Sequence, residues 1–239
     1  MSVIDEFIAS FNRVDQYLTS KSSRKDRRQG FGSVLTEVAG IDSAVHAFEP
    51  DLRRLNDLRN MIVHEEGIQG MGAIARPTEA ALKRMKHIDT ALHTPILAIT
   101  VANKPVMSCA DTATLGSVAR QMRRKAYSQI PVLHDGVFTA LLTTNIIVRW
   151  LGGIKEHRHV NLDSIHITAI IHAPSLEDKR SFIHMAKTNT VHDVAEAFQP
   201  KPEGYTINAI LITETGATSE PLEGIITAAD LPKVHKATR

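Results

Sequence analysis

The first ninety residues space their apolar positions by three and four. Ile4, Phe7, Ile8, Phe11, Val14 and Leu18 form one stripe, which predicts a helix over about 2–20. Phe31–Ala39 predicts a second helix, ended by Gly40. A third is expected after Pro50, over DLRRLNDLRNMIVHEE, with a stop at Gly67. The segment GIQGMGAIARP (67–77) holds three glycines and a proline and is expected to be a loop. A fourth helix is expected from Pro77 to about Leu92. Proline suits the first helical position, because its missing N–H has no partner there in any case.

Beyond residue 95 the texture changes to short β-branched runs alternating with helical stretches. A strand is expected at 105–108, a helix at 115–125 and a strand at 130–134. Asp135 and Gly136 then make a hairpin turn into a strand at 137–142, followed by a helix after Thr143. The same order recurs: strand 182–186, helix 191–198, strand 207–213, a turn near Gly216, strand 222–226 and a helical turn after Thr227. The intervening 152–180, with Gly152, Gly153 and Pro174, is expected to be a linker with a short strand near 166–171. Pro232 is expected to shorten the final helix. An internal repeat of strand, helix, strand, strand, helix governs the fold assignment.

Composition narrows the class. The 239 residues are 43% hydrophobic, enough for a core, so global disorder is excluded. A net charge of +2 argues against wholesale nucleic-acid coating and leaves room for local basic patches. One cysteine, Cys109, excludes an internal disulfide framework and any cysteine-cluster metal site. No 18-residue apolar run is present, and the N-terminal segment carries acids and helical periodicity instead of a short apolar core. A soluble, cytoplasmic protein in a reducing compartment is expected, with no required cofactor and no membrane partner.

The repeat resembles a tandem pair of CBS domains over about 100–235. The residues that carry the resemblance are DTATLGSVARQMRRKAYSQIPVLHDGVFTALLTTNIIVRWL and, in the second copy, NTVHDVAEAF, INAILITETG and PLEGIITAAD. The resemblance implies a regulatory module that binds an adenosine-containing ligand between the repeats. Its sharpest element is Gly224-Ile-Ile226-Thr227-Ala-Ala-Asp230, matching a G-x-x-T-x-x-D end. Gly224, Ile226, Thr227 and Asp230 are therefore ligand-binding candidates, with the Thr227 hydroxyl and a helix start on phosphate and Asp230 on the ribose hydroxyls. The competing reading is a capping box, in which the two side chains satisfy the helix's own donors. In the first copy the glycine becomes Ala140 and the acid becomes Ile146, while Thr143 remains. Thr143 can still take phosphate, but a ribose clamp is missing, so one competent site is expected, built on the second repeat.

The third helix carries Arg59-Asn60 and then His64, which resembles the R-N-x-x-x-H signature of HEPN domains over about 1–95. Leu52, Leu55, Leu58 and Ile62 share a stripe, and Arg59 falls inside it, where a charge needs a partner or an interface. Arg59 and His64 lie roughly 140° apart around an ideal helix, so a common cleft needs a second helix, as across a dimer. The resemblance implies metal-independent RNA cleavage, with His64 as general base, Arg59 stabilising charge on the phosphate and Asn60 orienting either group. The alternative gives Arg59 an acid such as Asp57 or Glu37 and leaves His64 near a helix end.

Lys21, Arg24, Lys25, Arg27 and Arg28 form a basic cluster, as do Arg120, Arg123, Arg124 and Lys125. Each reads as a solvated face or as a phosphate or RNA contact. His157 and His159 lack a nearby acid or cysteine, and no metal site is expected. The expected architecture is α+β. A helical HEPN-like domain over 1–95 precedes a CBS pair over 96–239, with repeat one at about 100–152, a linker at 153–178 and repeat two at about 179–236. Three functions stay open: an adenosine-ligand sensor modulating the helical domain, a gated HEPN-type ribonuclease, and a homodimeric interaction scaffold.

Overall fold

The computed structural model describes residues 2–23, 30–63, 75–154, 159–171 and 180–238. They fall into two units, Met1–Ile96 and Leu97–Arg239.

The first unit is helical. Helix α1 (Val3–Lys21) starts at Ser2, whose hydroxyl accepts from the Asp5 N–H at 3.1 Å while the Asp5 carboxylate accepts from the Ser2 N–H at 3.0 Å. Its stripe buries Phe7, Phe11, Val14 and Leu18. Helix α2 (Phe31–Ala39) packs on α3 (Ser43–Val63), and α1 packs on α4 (Glu79–His93). Three of these helices meet sequence expectation closely; α3 does not. It begins at Ser43 and runs through Pro50. Asp42 caps its start, with one carboxylate oxygen accepting from the Ala44 and Val45 N–H groups, each at 3.1 Å. The buried stripe Val45, Phe48, Leu52 and Leu55 continues across the proline. Burying Val45 and Phe48 on the core outweighs the roughly 3 kcal/mol that an interior proline costs a helix. Helix α4 starts two residues past Pro77, at the Thr78 cap, whose hydroxyl accepts from the Ala81 N–H at 3.1 Å.

The second unit contains two three-stranded sheets of the same topology. In the first, β1 (Cys109–Ala110) runs parallel to β2 (Gln129–His134), and β2 runs antiparallel to β3 (Val137–Thr143). In the second, β4 (Phe182–Ala186) is parallel to β5 (Ala209–Thr213), and β5 is antiparallel to β6 (Gly224–Thr227). Helices α5 (Leu115–Lys125) and α6 (Thr144–Gly152) accompany the first sheet, α8 (Val191–Ala197) and α9 (Leu231–Ala237) the second. The β2–β3 hairpin turns at Asp135 and Gly136 with φ of 47° and 82°, the left-handed pair that a two-residue hairpin needs.

Three local expectations are corrected. The strand expected at 105–108 is displaced to Cys109–Ala110, where pairing with Val132 and Leu133 fixes the register. The segment expected as a strand near 166–171 makes one bridge, His166 to Thr114, and then a single helical turn, α7 (Thr168–Ile171). Its buried residues, Ile167 and Ile170, are three apart, which is helical spacing. Pro232 lies in the first turn of α9, where a proline starts a helix and does not cut it short.

The residues leading into the first repeat belong physically to the second. Ala98 is fully buried in the core that holds Val194, Ile210, Ile212 and Ile226. Its N–H donates to the Asn189 carbonyl at 2.7 Å, and Asn103 exchanges backbone hydrogen bonds with Ile225 at 2.9 and 3.3 Å. Gly224 makes room for this strap. A Cβ there would sit 2.8 Å from the Ala102 Cβ and 3.1 Å from the Ile99 Cδ1. A further cluster, Phe138, Leu141, Ala209, Leu211 and Ile225, joins the repeats, and the Gln129 side chain donates to the Asn208 carbonyl at 2.7 Å.

Gly224→Ala should therefore destabilise the protein by about 1–3 kcal/mol, the usual cost of overpacking a close approach. Urea denaturation followed by circular dichroism measures it, and an unchanged midpoint would show that the strap does not press on β6.

Candidate functional site: a cleft between the two repeats

The strap, the end of α5 and the start of β2, and the end of β6 enclose a cavity of about 290 Å³. Met107, Pro131 and Ile225 give it apolar walls, and Asn103, Lys125 and Asp230 its polar groups. Ala126, in the left-handed conformation at φ 54°, ends α5 and turns the chain so that Tyr127 and Ser128 reach the cavity.

Asp230 is the most constrained group. Its residue is only 4% exposed, yet it is surrounded by donors. One carboxylate oxygen accepts from the Asn103 amide at 2.8 Å, the Thr227 N–H at 3.0 Å and the Thr227 hydroxyl at 3.1 Å. The other accepts from the Lys233 ammonium at 2.9 Å. Burial by itself pushes this carboxyl up. The bonds from Lys233, the Thr227 N–H, Asn103 and the Thr227 hydroxyl together outweigh it and hold the group below the ordinary carboxylate range.

The candidate residues separate. Thr227 and Asp230 line the cavity. Gly224 packs under the strap, and Ile226 is fully buried in the second core. Thr143 is 7% exposed and caps α6, its hydroxyl accepting from the Ile146 N–H at 3.2 Å, and it is not among the described lining residues. The turn after Thr227 is three residues of 3-10 helix, Ala228–Asp230, followed by the seven-residue α9, and the Thr227 N–H is already committed to Asp230. The helical turn expected after Thr227 forms, but its first N–H is not free for phosphate.

In the helical unit, Arg59 and Asn60 lie near the end of α3, and His64 lies outside the described residues. The Arg59 guanidinium donates to the Asn60 side chain at 3.3 Å, while its Nε is buried with no partner among the described residues. Among the described contacts, neither expected acid pairs with it. Asp57 is exposed, and Glu37 accepts from the Ser22 and Ser23 hydroxyls at 2.7 and 2.6 Å. Asp15 is the acid in its field: burial raises that carboxyl, and the Arg59 charge pulls it back.

Of the basic clusters, Arg120 forms a two-pronged pair with Asp163 at 2.6 and 3.2 Å, which accounts for it as surface structure. Lys21 lies 4.0 Å from Asp42 and over the Tyr17 ring, while Arg24, Lys25, Arg27 and Arg28 lie outside the described residues. His157 does too. The Cys109 thiol is buried, and burial followed by the Asp111 charge pushes its pKa up to about 11, so it is held as an unreactive thiol. Among the described residues no cluster of histidine, cysteine and acid fit for a metal ion is found, and no helix is long and apolar enough to cross a membrane.

Sequence reasoning named Lys125 only as a member of a basic cluster and did not find Asn103 or Lys233. Lys233 was within reach, since it stands one turn after Asp230. Asn103 was not, being 127 residues away from its partner.

Residues 98–153, strap included, match the family model of the CBS domain. No curated protein matches the chain. Solved structures similar to it include the CBS domain pair of protein MJ0100 in complex with 5′-methylthioadenosine and S-adenosyl-L-methionine, at 14% identity over 61% of this chain and 99% of that one, TM-score 0.44. The CBS domain of a bacterial CNNM/CorC family Mg2+ transporter in complex with ATP matches at 14% identity over 65% and 98%, TM-score 0.42. The CBS domain of a membrane protein from Sphaerobacter thermophilus matches at 20% over 65% and 96%, TM-score 0.44. At such identities and scores the likeness adds no argument beyond the topology already described.

The pKa direction of Asp230 gives a prediction. Its folded value lies below the ordinary unfolded value of about 3.9. The stability it contributes is therefore present above that value and is lost as pH falls through the folded one. Asp230→Asn should be less stable than wild type at pH 7, and the gap should close as the pH drops below about 4. Paired denaturation curves at several pH values test this; a gap that stays constant down to pH 2.5 would exclude an ionised Asp230 network.

Proposed function

We propose that the cleft binds an adenosine-containing small molecule and that the protein is a ligand-sensing regulator, in which the CBS repeats modulate the helical domain. The observation that carries this reading is an ionised carboxylate buried at the wall of a cavity between two like repeats. Keeping a charge out of water is costly, and four donors are arranged to hold this one in place. The ribose cis-diol is a two-donor group of the right kind to take over part of that arrangement. Met107, Pro131 and Ile225 offer the flat apolar contact that a base needs. The CBS match over 98–153 supports the same reading, and the cavity volume of about 290 Å³ lies at the lower end of ligand pockets.

A thermal-shift screen with AMP, ADP, ATP, S-adenosylmethionine, NAD and cyclic dinucleotides tests it. A binder at 100 times its Kd stabilises the folded state by about 2.7 kcal/mol, and Asp230→Ala should abolish that shift. Folded protein that responds to none of them would rule the reading out.

One observation favours a second reading for the helical unit. The Arg59 Nε, buried and without a partner among the described residues, is an unused donor beside Asn60. In this reading Arg59, Asn60 and His64 cleave RNA without a metal, in a homodimer whose two copies complete the cleft. RNA cleavage by wild type should be lost in His64→Ala. Equal cleavage by the two proteins would assign the activity elsewhere.

A further inference from the structure

We propose that the cleft prefers phosphorylated adenosine compounds over uncharged ones, and that Lys125 and Lys233 set this preference. The inference rests on the adenosine reading above and deepens it.

The first step is an elimination. The turn after Thr227 is too short to offer the run of free N–H groups with which a helix start holds phosphate, and its first N–H already donates to Asp230. The charged groups that this cleft can offer an anion are therefore side-chain cations. Two are in place. Lys125 lines the cavity and has no carboxylate partner among the described residues. Lys233 reaches the cavity wall from α9: its ammonium lies 2.9 Å from Asp230 and 3.5 Å from the Asn103 side-chain oxygen, and both of those residues line the cavity.

The second step is a count of acceptor sites. A carboxylate offers about four lone-pair directions. One Asp230 oxygen is filled by three donors, two of them fixed by Thr227. The other oxygen holds Lys233, whose side chain is 59% exposed and free to move. A ribose hydroxyl therefore enters most readily at the oxygen that Lys233 holds. The displaced ammonium remains beside the sugar that carries the 5′ phosphate. A phosphate recovers the ion pair that the ribose has broken, and an uncharged nucleoside does not. Asp230 is the one acid among the described lining residues, so with its charge offset by Lys233, Lys125 leaves the cleft positive.

Calorimetry with adenosine and AMP, at low and at moderate salt, tests the inference. AMP should bind about tenfold more tightly than adenosine, as expected for charge-assisted bonds to phosphate, and the difference should shrink with salt. The ratio of the two affinities should fall by about three- to tenfold in Lys125→Gln and in Lys233→Gln. Lys233→Arg, which keeps the charge, should restore it. Equal binding of adenosine and AMP by wild type would overturn the phosphate preference and leave the adenosine site standing. A ratio unchanged in both glutamine variants would overturn the assignment to these lysines. Binding of neither compound would overturn the adenosine reading itself, and this inference with it.

Discussion

The second unit is organised by a strap that crosses from one repeat to the other. Residues 98–103 precede the first sheet in sequence but bury Ala98 in the core of the second, and the Asn103 backbone pairs with Ile225 on its edge strand. An edge strand has unpaired backbone groups that need covering. Here the cover is supplied by the segment that leads into the other repeat, so the second sheet is not complete alone. Gly224 lets the two chains approach closely enough to pair. The same crossing carries the Asn103 side chain to Asp230, so one geometric constraint closes the fold and builds the wall of the cleft.

That wall concentrates electrostatic cost in a small volume. A carboxylate at 4% exposure is tolerated only because an amide, a hydroxyl, an N–H and an ammonium converge on it. The contributions differ in kind. Thr227 donates from its own turn and cannot leave without unwinding it. Asn103 is held by the strap. Lys233 is mostly in water and can be exchanged at little cost. A site with two fixed donors, one strapped donor and one mobile cation is preorganised for an anion and still open to a competitor for the last position.

Much of the fold was legible in the sequence because it is written locally. The α1 stripe, the Asp135-Gly136 hairpin and the repeated order of strands and helices each depend on residues a few positions apart. The failures share a cause. Pro50 obeys a local rule that burial of Val45 and Phe48 overrides. The two-residue β1 is defined by parallel pairing with a strand twenty residues on, which no local pattern reports. The site divides along the same line. Thr227 and Asp230 were visible as a spaced pair, while Asn103 enters only through the strap. Gly224 and Ile226 were visible as parts of the same motif, and the structure places them in packing.

The two repeats make different use of one turn. In the first, Thr143 ends β3 and its hydroxyl accepts the N–H of Ile146, three residues on; Ile146 is buried in the first core and the turn is satisfied by itself. In the second, Thr227 ends β6 and the residue three on is Asp230; the two form a capping box, and the threonine's N–H and hydroxyl also feed a charge. A charge at that depth cannot be satisfied within its own turn, and so recruits Lys233 from the following helix and Asn103 from the strap. The exchange of isoleucine for aspartate thus turns a self-contained helix cap into a hub that reaches three segments of chain. It also makes the second repeat's copy of this turn the one whose hydrogen bonding an incoming ligand can change.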